Sequence, residues 1–113
     1  MISKRPSIYI YGYRPSHHIL SEICSGIEEE GVFFQVIHRQ EENVEELSYQ
    51  AAQDSMLGSG IGIKEDEICF QIKGLPRGRY IFRYEKPSGE EARRLGANAA
   101  RAVKKQPFKE EKR

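Results

Sequence analysis

The chain has 113 residues, with 18 Lys plus Arg against 17 Asp plus Glu and a formal net charge of +1. That near-balance supplies no global field to draw the protein to nucleic acid or to a membrane surface, and the 38% hydrophobic and 31% charged content fits one soluble domain. No apolar run approaches the roughly 20 residues needed to span a bilayer, and the basic start, residues 1–6, carries no signal-peptide pattern.

Residues 7–11 (SIYIY) are β-branched and aromatic and predict a first strand, after which Gly12 and Pro15 turn the chain. Ile19, Leu20, Ile23, Cys24 and Ile27 recur at helical spacing, which predicts an amphipathic helix over 17–30. Gly31 is placed to end that helix in the left-handed conformation. Residues 32–38 (VFFQVIH) predict a second strand. Asn43, with Glu46 three positions on, is the asparagine form of a capping box. It opens a helix with Val44, Leu47, Ala51 and Ala52 on one face.

Residues 56–60 read as a loop, 60–63 as a short buried strand and 64–67 as a tight polar turn. Ile68, Phe70 and Ile72 alternate with Cys69 and Gln71, so a fourth strand follows, paired antiparallel with the third through the short turn. A loop over 73–79, holding Pro76 and Gly78, leads to a fifth strand at 80–84. Ser88 and Glu91 form a second capping box, opening a helix over about 89–104 that buries Leu95, Ala99, Ala102 and Val103. Its basic end, Arg101, Lys104 and Lys105, complements the helix dipole. Pro107 stops it, and 109–113 are expected to fray as a charged tail.

We read the order as βαβαββα. Crossover helices after the first two strands make their neighbours parallel and place helices on the sheet faces. The expected fold class is α/β: one domain over 1–113 in three layers, with a five-stranded mixed sheet whose fourth strand is antiparallel. Cys24 and Cys69, each inside an apolar segment, read as reduced core residues of a cytoplasmic protein.

Catalytic readings fail one after another. Gly58, Gly60 and Gly62 form a GxGxG string, but they enter a strand instead of a helix N-terminus, so tight packing is preferred over phosphate binding. His17, His18 and His38 lack metal-ligand spacing, and Ser21, Ser25 and Ser48 lack a nucleophile elbow. Tyr9, Tyr11 and Tyr13 have no basic stripe beside them and read as strand residues, while Arg93 and Arg94 read as a solvated helix face. An interaction protein is the default that remains.

Glu28, Glu29 and Glu30 stand in a row just before Gly31. The last turn of a helix already concentrates negative charge on its free carbonyls, so each carboxylate there costs about 0.3–1 kcal/mol at an exposed site. Either the helix tolerates a solvated acidic end, or something cationic from outside uses it.

Three segments, GIEEEGVFFQVI (26–37), SYQAAQDSMLGSGIGI (48–63) and RRLGANAARAVKKQPF (93–108), together with RPSIYIYG at the start, resemble a known family. They are similar to the small subunit of the diol/glycerol dehydratase reactivases, itself similar to the medium subunit of adenosylcobalamin-dependent dehydratases. Residues 13–18 match no family motif, and Lys105 stands where many relatives have glycine. The resemblance implies a mixed five-stranded sheet of the anticodon-binding-domain-like kind and a non-catalytic role. It also implies a large, actin-like ATPase partner, with which the chain forms a chaperone-like complex that releases damaged cobalamin from the dehydratase. Magnesium and ADP or ATP belong to that complex, and none to the isolated chain. The resemblance further implies that Glu29 reaches the partner's magnesium, a hard cation that prefers carboxylate oxygens. The cytoplasm is the implied location, with microcompartment association left open, and neither nucleic acid nor a membrane is an expected partner. The alternative is a component of the dehydratase itself, but that subunit carries extra cobalamin-binding sequence, whereas this chain ends at Arg113.

Overall fold

In a computed structural model describing residues 5–110, period-2 alternation within the first strand sorts side chains onto two sheet faces. β1 (Ile8–Tyr13) sends Ile8 and Ile10 into one core cluster and Tyr9 and Tyr11 into another. α1 (His17–Glu29) leads to β2 (Phe34–His38), and α2 (Val44–Asp54) to β3 (Ser59–Lys64). β4 (Glu67–Ile72), β5 (Phe82–Tyr84) and α3 (Gly89–Val103) complete the chain. The order is therefore βαβαβββα; the string βαβαββα omits the short fifth strand that a five-stranded sheet already requires.

The strands lie in the order β2-β1-β3-β4-β5. β1 pairs in parallel with both β2 and β3, while β4 runs antiparallel to β3 and β5. The step from β1 to β2 runs one way along the sheet, and the step from β2 to β3 runs back across β1. Right-handed crossovers then put α1 and α2 on opposite faces. α3 returns to the α1 face, where Ile23, Ile27 and Leu95 close over Ile8, Ile10, Ile61, Ile63, Ile68 and Phe70. α2 covers Tyr11 with Leu47 and Ala51 on the other side.

Three local devices carry this packing. Asn43 accepts the Glu46 amide at 3.0 Å, but the Glu46 carboxylate turns to Gln50 and Arg77, so only half of the expected capping box forms. Ser88 and Glu91 make the full box. A Cβ on Gly60 would overlap the Ala52 backbone nitrogen, and one on Gly62 would come within 2.5 Å of the Val44 carbonyl oxygen. The glycine string thus lets α2 lie directly on β3.

Element ends differ from expectation by a residue or two. β2 begins at Phe34 and β5 at Phe82, and β3 takes in Ser59. The tail is held at Lys109, whose backbone amide and carbonyl pair with the buried Asn98 side chain at 2.6 and 3.2 Å. Phe108 meets Phe70 and Phe82 edge-on at 6.3 and 5.4 Å. Of the rest of the expected frayed tail, residues 111–113 lie outside the described residues, as does the start at 1–4. Cys24 and Cys69 are unpaired; burial is the main cause that pushes both thiols up to about 11.

Candidate functional site

α1 stops where Gly31 takes φ +73, a conformation that costs glycine nothing. Its end lies against α3 because two glycines remove the side chains that would keep the helices apart. A Cβ on Gly26 would strike the Arg93 carbonyl oxygen and come within 2.9 Å of the Ala97 nitrogen. One on Gly96 would strike the Ile23 carbonyl oxygen. Backbone against backbone, the crossing carries a basic stripe of α3 (Arg93, Arg101, Lys104) alongside the acidic end of α1.

The three glutamates then meet three environments. Arg93 donates to both oxygens of Glu29, Nε to Oε1 at 3.1 Å and Nη2 to Oε2 at 2.7 Å, a fork-to-fork pair. Both side chains remain open to water, Glu29 at 44% and Arg93 at 46%. Glu30 is only 9% exposed and is tied twice: Arg101 Nε donates at 3.1 Å, and Lys104 Nζ donates to Oε1 and to the backbone carbonyl at 2.8 Å each. The Arg93 hydrogen bond holds Glu29 below the usual carboxylate range, and the Lys104 hydrogen bond does the same for Glu30. Glu28 is exposed, and its charge adds to burial in raising Cys24.

The acidic end is thus neither simply solvated nor left wholly to an outside cation. The chain's own α3 supplies the nearest positive charges, and Arg93 is part of that pairing instead of a solvated face. The signal was present in the sequence, since Arg93, Ala97, Arg101 and Lys104 recur every three to four residues and share one stripe. What spacing could not show was which helix that stripe would meet.

Glu29 and Arg93 also line a surface recess of 360 Å³ with Glu90, Arg94, Lys109 and Glu110. Among the described residues, no group of three or more His, Cys, Asp or Glu could hold a metal ion. Glu29 could contribute one carboxylate to a shared site and no more. Each of its oxygens accepts one hydrogen bond from Arg93, which leaves lone-pair capacity for such a contact.

The other sequence candidates stay apart from this place. His17 and His38, both exposed, line an open groove with Arg14 and Arg39 at the carboxyl ends of β1 and β2. Tyr9 and Tyr11 stack at 6.0 Å; the Tyr11 hydroxyl donates to Asp54 at 2.5 Å, and Arg39 lies 4.1 Å over its ring. Burial first, then Asp54, pushes that phenol up to about 12. Tyr11 is thus occupied from within, while Tyr13 lines the open groove. Among the described residues, no helix is long and apolar enough to cross a membrane.

Comparison with known proteins covers nearly the whole chain. Residues 5–109 match the family described as dehydratase medium subunit. The propanediol dehydratase-reactivating factor small subunit of Citrobacter freundii is 33% identical over 106 residues, 93% of this chain and 91% of that protein. The diol dehydratase-reactivating factor small subunit of Klebsiella michiganensis is 36% identical over 90 residues, 79% of this chain and 72% of its own length. Among solved structures, diol dehydratase-reactivating factor complexed with ADP and Mg2+ superposes with a TM-score of 0.86 at 32% identity, covering 93% of this chain and 98% of the other. A glycerol dehydratase reactivase gives the same score and identity, with 93% and 97% covered.

Proposed function

The chain belongs to the dehydratase medium-subunit family, and we propose that within it this protein is the small, non-catalytic subunit of a reactivating factor for an adenosylcobalamin-dependent diol or glycerol dehydratase. The observation that carries this reading is the likeness to reactivating-factor chains end to end, at a TM-score of 0.86 and 32% identity. The chain acts in the cytoplasm, free or within a microcompartment, beside a large actin-like subunit that binds and hydrolyses ATP. It works by exchange. The small subunit leaves, the large subunit engages the similar subunit of the dehydratase, and the loosened cobalamin site releases its damaged cofactor.

Glu29 links this exchange to nucleotide state by entering the magnesium site of the large subunit. Magnesium there supplies a hard positive charge that selects carboxylate oxygen. Three features of the chain support the role: Glu29 stands at a helix end, its carboxylate faces water, and its backbone is fixed by the glycine crossing. A carboxylate so placed reaches into a partner without moving backbone. If the same contact holds magnesium and the small subunit, the two equilibria are coupled by one free energy.

Mixing the chain with its cognate large subunit in magnesium and ADP tests the reading. The expected outcome is one heteromeric peak on size-exclusion chromatography, and two separate peaks from folded proteins would overturn it. The family's own description favours a second reading, a component of the dehydratase itself. Retention of cobalamin by the complex purified from native cells would select that one.

A further inference from the structure

On the reading that Glu29 meets a partner's divalent cation, we propose that Arg93 is its intrachain counter-ion, which competes with that cation for the carboxylate in the free chain and yields it on assembly.

Of the two glutamates paired at the α1 end, only Glu29 is both aimed and releasable. Its carboxylate is gripped in one plane by the Arg93 fork, at 2.7 and 3.1 Å, and the close approach of α1 to α3 fixes the distance between the two backbones. The pair is open to water on both sides, whereas Glu30 is nearly buried and bound by two cations. The fork gives the pair good geometry, but solvent on both sides screens it, so a divalent cation can compete for the carboxylate. The released guanidinium does not lack counter-charge. Glu90 lines the same recess, and the charge of Glu22 already acts on Arg93. Assembly is then an exchange of partners: Arg93 moves from Glu29 toward Glu90 and Glu22, and Glu29 moves from a guanidinium to a metal ion. Before assembly, the fork neutralises the acidic helix end and keeps the carboxylate at one place on the surface.

The test is calorimetric titration of the large subunit, with ADP and either magnesium or EDTA, for the wild type, Arg93→Met, Arg93→Lys, Glu29→Gln and the Glu29→Gln/Arg93→Met pair, each shown by thermal melting to be folded. Removing the competing cation should tighten binding about fivefold in magnesium, the size of an exposed pair converted to affinity. Binding in EDTA should not change. Arg93→Lys, a charge without a fork, should fall between, and remains the informative variant should Arg93→Met fail to fold. In the Glu29→Gln background, Arg93→Met should do nothing. If Glu29→Gln weakens magnesium-dependent binding while Arg93→Met leaves it unchanged or weaker, the counter-ion role is overturned and the role of Glu29 survives. If Arg93→Met tightens binding equally in EDTA, or in the Gln background, its effect is structural and the inference fails. If Glu29→Gln has no magnesium-specific effect, the underlying reading falls and the inference with it.

Discussion

Adjacent residues of a helix point about 100° apart, and at Glu29 and Glu30 that angle separates a surface contact from a structural one. Glu30 inserts between α1 and the end of α3, bound to Arg101 and Lys104. Glu30→Gln would leave two cations facing a neutral amide, and we expect a loss of about 1–3 kcal/mol in urea denaturation. The Glu30 carboxyl is held below its ordinary value of 4.5, so its contribution is present above that value and is lost as pH falls through the lower folded value. Wild-type and Glu30→Gln melting curves should therefore converge in acid below 4.5 and separate toward neutrality. Glu29→Gln should barely move the melting temperature, because its pair with Arg93 is exposed and screened by solvent. It should weaken magnesium-dependent association with the large subunit and slow reactivation, while Glu28→Gln leaves both near wild type. Equal affinities for the three glutamine variants would return the triplet to an acidic helix end with no outside cation to hold.

At the scale of elements, the contact that builds the site is the α1–α3 crossing, and it depends on two glycines. A methyl on Gly96 would meet the Ile23 carbonyl, which is backbone and cannot swing aside. Gly96→Ala and Gly26→Ala should each destabilise the fold by about 3 kcal/mol, the upper end for overpacking, as read by denaturant midpoint. An alanine there that folds with wild-type stability would mean that the helices are not in backbone contact. This crossing also marks the limit of what the sequence discloses. Strand positions, the antiparallel fourth strand and the packing use of Gly60 and Gly62 were all legible, because alternation and a strand context are local signals. Gly26 and Gly96 carry no such local signal, since a glycine inside a helical pattern looks like a tolerated defect until its facing helix is known. The ion pairs followed the same rule: Glu29 and Arg93 are 64 residues apart, and no local pattern joins them. Lys109 was expected to fray because it is terminal and charged, yet its hydrogen bonds use backbone atoms that composition says nothing about.

The molecule as a whole presents a buried core and an open surface, and at the α1 end the acidic side chains Glu29 and Glu30 meet the basic side chains Arg93, Arg101 and Lys104. Phe33, Met56 and Tyr80 are exposed, Met56 at 70%, and such apolar area on a subunit without its partner should produce weak self-association. Sedimentation at rising concentration should show it, and addition of the large subunit should abolish it. Alone, the folded chain should bind neither ATP nor cobalamin measurably in calorimetric titration, because the glycine string packs against α2 and Tyr11 is taken up by Asp54 and Arg39. Micromolar binding of either would contradict a purely partner role. The most direct measurement follows cobalamin itself. A dehydratase holding inactive cobalamin is incubated with the large subunit and magnesium-ATP, with and without this chain, and free cobalamin is measured after filtration. Release should depend on ATP and be restored to full extent only when the chain is present with the large subunit. Release that is indifferent to the chain, or cobalamin retained by the chain's own complex, would overturn the reactivating-factor role.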